Sequence, residues 1–159
     1  MKGQTENLSI STKKDVSMFV NEKEKTEFSN FLGSWTNDPK NNKGVFFKLR
    51  DNITKKENAV LNFKSRPGVS YSFRGSLEKQ GENRLFVMAD IIDDDPEDRW
   101  LSVCFYGDMI TDPDELGNLI PKGLLGEDGY CFDIYEYDEP MISYIKQRIN
   151  EAYTNTLNY

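Results

Sequence analysis

Histidine is absent from this 159-residue chain, and that omission removes the commonest catalytic devices. Ser-His-Asp and Cys-His nucleophilic catalysis, imidazole acid–base work and most catalytic zinc sites all need a histidine. Cysteine is scarce too. Cys104 and Cys131 are the only two; without histidine they make a structural zinc site within one chain improbable. No apolar run approaches the ~18 residues of a membrane span, and the N-terminal MKGQTENLSISTKKDVS lacks the apolar stretch of a secretory leader. Together these absences favour a cytoplasmic protein with reduced thiols and no membrane association. The chemistry left is carboxylate work, Lys or Tyr acid–base work, oxygen-ligated Mg²⁺ or Ca²⁺, and plain binding.

What is present suits one domain with a core. Hydrophobic residues make up 37% and aromatics 13%, enough to exclude a wholly disordered chain. Residues 1–14 read as a polar tail, leaving 15–159 as a single domain. Charge is unevenly placed. Residues 1–89 carry sixteen Lys and Arg against ten acids, a net of +6, whereas residues 90–139 carry sixteen acids against Arg99 and Lys122, a net of −14. Such asymmetry suggests a partner surface, while the acidic total of −7 argues against general nucleic-acid binding.

Helical spacing runs from about Asp15 to Trp35, where Phe28, Phe31, Leu32 and Trp35 share one face. In a second segment Phe46, Leu49 and Ile53 fit a helix while Val45, Phe47 and Leu49 fit a strand; the helix is favoured because Ile53 continues only that pattern. Five β-like runs follow: AVLNFKSR, VSYSFRGSL, RLFVMADII, RWLSVCFY and YCFDIYEY. A last helix begins near Glu139 or Pro140 with an apolar stripe of Ile142, Ile145, Ile149 and Ala152. The expected fold is therefore α+β, an antiparallel sheet of about five strands with N-terminal and C-terminal helices mainly on one face.

The first hairpin has a predictable register. A three-residue loop at Pro67-Gly68-Val69 pairs Arg66 with Ser70, Lys64 with Ser72 and Asn62 with Arg74, gathering Leu61, Phe63, Tyr71 and Phe73 on the other side. The polar strip left by that pairing holds three cations, Lys64, Arg66 and Arg74, beside two hydroxyls, a composition suited to a phosphate or carboxylate.

Between two strands, ADIIDDDPEDRWLSVCFY places six carboxylates in positions 90–98. A calcium loop starting at Asp93 would need Gly sixth and Glu twelfth; Asp98 and Cys104 stand there, so the template fails. A looser Mg²⁺ site from Asp90, Asp93 or Asp95 with Asp133 has no distinguishing spacing, and no metal or other cofactor is assigned. Asp-Pro at 95–96 suits a solvated turn. The long connection 107–130 is expected to hold a short helix capped by Thr111 or Asp112 and ended at Gly117, with a lid as the alternative. Asp90, Asp133 and Glu136 are weak candidates for a catalytic carboxylate group.

Three strings, RPGVSYSFR (66–74), RWLSVCFYGDMI (99–110) and LLGEDGYCFD (124–133), resemble a family of small bacterial proteins to which no activity is attached. The likeness spans residues 45–155 and implies a bacterial cytosolic domain.

The resulting expectation is a binding or accessory protein rather than an enzyme. Its acids at 90–98 and 108–139, namely Asp93, Asp94, Asp95, Glu97, Asp98, Asp112, Asp114, Glu115, Glu127 and Asp128, would engage a basic protein surface, one version being an inhibitor that imitates nucleic acid. The alternatives are a carboxylate- or Mg-dependent hydrolase, and a small-anion binder using the Lys64, Arg66 and Arg74 strip.

Overall fold

The computed structural model describes residues 18–159; the expected tail and the first residues of the expected helical stretch, 15–17, lie outside them. Helix α1 (Glu22–Ser34) starts where the Asn21 side chain accepts the Glu24 N–H at 2.8 Å. It begins after Phe19, which leaves the helical path to bridge Leu61 of the sheet. Helix α2 (Asn42–Thr54) has its first turn held by Asp38, whose two carboxylate oxygens accept the Asn42 and Lys43 N–H groups at 2.8 and 3.0 Å. Val45, Phe46, Leu49 and Ile53 form its buried stripe. Helix α3 (Glu139–Leu157) is capped by Asp138, with Pro140 in the first turn where a missing N–H costs nothing.

Between α2 and α3 lie β1 (Val60–Arg66), β2 (Ser70–Lys79), β3 (Glu82–Ile92), β4 (Trp100–Tyr106), β5 (Asn118–Leu124) and β6 (Glu127–Ile134). They form one antiparallel sheet in the order β1-β2-β3-β4-β6-β5. The β1–β2 hairpin has the three-residue loop and the expected register, with Gly68 at φ 82° supplying the left-handed backbone. Its consequence crosses the whole sheet. Phe63, Phe73, Ala89, Val103 and Phe132 follow one another through directly opposed ladder positions, and all are fully buried.

All three helices reach that inner face. Phe28 of α1 packs on Phe63 and Phe73, Phe46 of α2 meets Phe73 edge-on, and Tyr144 and Tyr153 of α3 meet Phe132 and Phe86. Where α2 comes closest, Gly75 leaves no room for a side chain: a Cβ there would stand 2.9 Å from the Phe86 ring and 3.0 Å from Ile53.

Two features depart from the sequence reading. The connection after β4 opens with one 3-10 turn (Gly107–Met109) and ends in a sixth strand, while the expected helix over 111–117 is a non-helical turn. Glu115 adopts φ 54°, which stops helical propagation after one turn, and Asp112 instead accepts the Leu116 and Gly117 N–H groups at 3.1 and 2.9 Å. The start of that turn is tied to α3: Tyr144 donates to Asp112, and Thr111 donates its N–H and hydroxyl to Glu151 at 2.8 Å each. The second correction concerns the thiols. Cys104 and Cys131 are directly opposed on β4 and β6 with Cα atoms 4.1 Å apart, and their sulfurs are bonded. Strand pairing, invisible without the register, brings them together, and the reduced-thiol argument for a cytoplasmic location loses its basis. Among the described residues no helix is long and apolar enough to cross a membrane.

Candidate functional site

Alternation that sends phenylalanines inward must send the residues between them outward. The outer face of the sheet, on which no helix among the described residues packs, consequently carries rows of defined composition. One row runs Lys64, Ser72, Asp90, Ser102, Asp133 across five strands. The row beside it runs Arg66, Ser70, Ile92, Trp100, extended by Tyr135, whose ring lies tilted against Trp100 with centroids 4.8 Å apart. On the other side come Asn62, Arg74, Met88, Cys104, Cys131 and Asn118.

The three expected cations do share this face, though not one environment. Lys64 lies 3.5 Å from Glu24, a nearly buried residue of α1 whose carboxylate also accepts the Phe63 N–H at 2.6 Å. Arg66 and Arg74 donate to serine hydroxyls instead, Arg66 to Ser70 at 3.4 Å and Arg74 to Ser72 at 3.0 Å. Asp90 is half-buried beside them. Burial pushes its carboxyl above the usual range, while the Ser72 hydroxyl and the Arg74 and Arg66 charges draw it part of the way back.

The candidate catalytic carboxylates come only partly together. Asp90 and Asp133 stand in one row but two strands apart, roughly 10 Å at a strand spacing of ~4.8 Å, with Ser102 between them. Glu136 lies beyond β6 in the turn before α3. Among the described residues no group of three or more Cys, Asp or Glu is placed to hold a metal ion.

The acidic run divides into unlike parts. Asp93 is buried. Its carboxylate accepts from Arg99 Nε at 2.7 Å and from the Gly68 N–H at 2.8 Å, and the Arg99 guanidinium lies over the Phe31 ring at 5.2 Å. Asp93 thus joins the β3–β4 turn to the β1–β2 turn and is withdrawn from any contact surface. Asp94, Asp95 and Glu97 remain exposed, and Asp98 pairs with Lys40 at 3.0 Å.

Asp112 is spent on holding its own loop. Burial raises its carboxyl, but hydrogen bonds from Tyr144, the Gly117 and Leu116 N–H groups and Tyr130 outweigh that and hold it below the ordinary range. Asp114 and Glu115 are exposed on the same loop. Glu127 pairs with Arg84 at 3.2 Å, and Asp128 accepts the Lys122 N–H at 2.9 Å. Those last two stand at the β5–β6 hairpin, opposite the end of β4 that carries the 93–98 turn.

A different clustering emerges at that 93–98 end. Asn42, fully buried, donates its side-chain amide to the carbonyls of both Arg99 and Tyr135 at 2.9 Å, and the Tyr137 N–H donates to the Lys40 carbonyl at 3.0 Å. These bonds draw the turn after β6 alongside the turn before β4. Exposed Asp94, Asp95 and Glu97 thereby share one end of the sheet with exposed Glu136, Asp138 and Glu139, the end that also carries the Trp100–Tyr135 ring contact. Tyr135 is 55% exposed and its hydroxyl donates to Asp133 at 3.4 Å. Trp100, Tyr135 and Asn42 were not singled out from the sequence. The alternation of aromatic and acid in DIYEYDE was the only sign, and it says nothing about a neighbour 35 residues away.

Comparison of the chain with protein-family profiles, curated proteins and solved structures found no match.

Proposed function

We propose that the protein is a non-catalytic binding protein that engages a basic partner through the acidic end of its sheet. The observation that carries this reading is the approach of the acidic 94–97 and 136–139 turns at one end of the sheet, the end that also carries half-buried Trp100 and exposed Tyr135. Carboxylates beside an aromatic face are the chemistry that receives guanidinium or ammonium groups, by charge-assisted hydrogen bonds and by attraction to the ring. Anchoring by Asn42 and by the buried Asp93–Arg99 pair keeps the two turns in place before a partner arrives, which lowers the ordering cost of binding. A nucleic-acid-binding protein whose groove accepts carboxylates in place of phosphates is one partner of this kind.

The test uses an arginine-rich peptide as probe and leaves Asp93 untouched. Saturable amide shifts at 94–100 and 135–139, an affinity that falls steeply with salt, and loss of binding in the combined Asp94→Asn, Asp95→Asn, Glu97→Gln variant are expected. Unchanged affinity in that variant, or shifts confined to Asp114, Glu115 and Asp128, refutes the proposal.

A further inference from the structure

The outer face of the sheet carries its charge in a polar order. Across the strand order β1-β2-β3-β4-β6-β5, the cations Lys64, Arg66 and Arg74 stand on the first two strands and the carboxylate Asp133 on the fifth. The two middle strands, β3 and β4, hold Met88 beside Cys104, Asp90 beside Ser102 and Ile92 beside Trp100. Arg66 and Tyr135 are exposed, and Arg74, Ile92, Trp100 and Asp133 are half-buried, so these side chains are open to contact. Arg66, Arg74 and Asp133 have no partner of opposite charge within salt-bridge distance among the described residues. The two guanidinium groups rest instead on serine hydroxyls, Arg66 on Ser70 and Arg74 on Ser72. A face with cations at one side, a carboxylate at the other and apolar groups between is complementary to itself when turned around.

We propose that a second copy of the chain packs on this face as a symmetric dimer, with the two-fold axis in the interface, parallel to the strands and between β3 and β4. Charge selects that axis. A two-fold axis laid across the strands along the middle row would set Lys64 on Lys64, Asp90 on Asp90 and Asp133 on Asp133, and opposed like charges disfavour association. An axis along the strands exchanges β3 with β4, β2 with β6 and β1 with β5. Ile92 then lies over Trp100 of the second copy, Met88 over Cys104 and Asp90 over uncharged Ser102, each contact occurring twice as an isologous interface requires. Ser72 lies over Asp133 of the second copy, so the Arg74 guanidinium held on Ser72 meets that carboxylate. Ser70 lies over Tyr135 of the second copy, whose ring receives the Arg66 guanidinium. Asn62 and Asn118 face one another at the rim.

Trp, Tyr, Met and Arg are the residue types enriched at protein interfaces, and two sheets stacked with nearly aligned strands are an ordinary packing. Six strands ~4.8 Å apart and three rows ~7 Å apart give a footprint on the order of 600 Å² per copy. That is below the ~800 Å² per partner of a standard interface, which fits a reversible dimer rather than an obligate one.

Self-association of the full chain is followed by sedimentation velocity from about 1 μM to about 1 mM, and by amide shifts on dilution. A dimer that weakens with salt is expected, with shifts at 70–74, 88–92, 100–104 and 131–135. Arg74→Glu and Asp133→Lys should each weaken dimerisation about a hundredfold, because each removes a charge-assisted contact made twice and worth about tenfold apiece. An equimolar mixture of the two variants should recover the original affinity. The reversed charges meet at one contact, and the unaltered pair meets at the other.

A monomer throughout the series, dilution shifts on another surface, variants that associate as the unaltered chain does, or a mixture no better than its components overturns the proposal. The dilution shifts need no variant, so they decide it even if Arg74→Glu folds poorly. The combined Asp94→Asn, Asp95→Asn, Glu97→Gln variant should dimerise normally; loss of the dimer there would move the interface to the acidic end and overturn the proposal as well. Tyr135 borders both surfaces, but the charges that decide them differ, so failure of the peptide test and failure of the dimer are read separately.

Discussion

Replacing Asp93 by Ala strips the Arg99 guanidinium of its carboxylate while leaving it buried. The two side chains are 6% and 8% exposed and meet at 2.7 Å, so neither charge regains water without local unfolding. Breaking a buried pair from one side costs about 3–5 kcal/mol, because the remaining charge is desolvated and uncompensated. The Gly68 N–H also loses its acceptor, which places the expected loss near the top of that range. At about 2–4 °C per kcal/mol for a chain of this size, the unfolding midpoint should drop by roughly 10–20 °C. Urea unfolding followed by tryptophan fluorescence measures it, and Asp94→Ala, one residue away but exposed, serves as control with a change within about 0.5 kcal/mol. Pairing Asp93→Leu with Arg99→Met should recover most of the loss, since apolar residues of similar volume can replace a buried ion pair. A loss under about 1 kcal/mol for Asp93→Ala, or a double variant no better than the single one, would refute the claim that this pair holds the two turns together.

Reduction of the Cys104–Cys131 bond, which spans 27 residues, should lower stability by about 3–3.5 kcal/mol if chain entropy dominates; unfolding with and without a dithiol reductant reads this, and Cys104→Ser should be insensitive to the reductant. Asp112 titrates below its ordinary value in the fold, so the stability it contributes is present above its unfolded pKa of 3.8 and disappears as pH falls through the folded one. Asp112→Asn should therefore lower stability at neutral pH and flatten the acid limb of a stability–pH profile. Asp90 carries the opposite sign: its carboxyl is raised in the fold, so its charge costs stability above the folded pKa, and that cost is relieved as pH falls through it towards 3.8. Asp90→Asn should accordingly stabilise the chain at neutral pH, as thermal unfolding will show, and a destabilised variant would mean that the ionised form is preferred.

Local patterns were readable where one face decided everything. The α2 stripe of Phe46, Leu49 and Ile53 follows from helical period, to which the fold adds Val45, and the Arg66–Ser70 register follows from the buried face, because a slip by one residue would send Phe63 and Phe73 to the opposite face. β5 escaped the same reading. NLIPKGL keeps six of its seven residues exposed, so it lacks the buried alternation that marks a strand, and Pro121 within it argues against one. The disulfide was hidden for a related reason, since β4 pairs with β6 across an intervening strand in sequence. Charge was the most misleading signal. Consecutive acids at 93–98 looked like one surface, yet burial turned Asp93 into an internal brace. Meanwhile Glu136, Asp138 and Glu139, inside the expected 108–139 acidic span but not singled out within it, lie beside the exposed remainder through Asn42.

The sheet edges bear on where a partner can attach. An unpaired edge strand invites another chain to add a strand, but both edges here are obstructed. On β1, Glu24 takes the Phe63 N–H and the Val20 N–H donates to the Leu61 carbonyl at 2.9 Å, so two ladder positions are already occupied by the chain itself. On β5, Pro121 has no N–H to give, Lys122 turns to φ 53°, and the ladder breaks between Ile120 and Leu124. Leu119 and Ile120 are consequently exposed without offering a regular strand to pair with. Strand addition would require displacing Glu24 on one side or straightening a bulge on the other. A partner at the acidic end, as proposed, requires neither, since the two turns there are already held by Asn42 and Arg99.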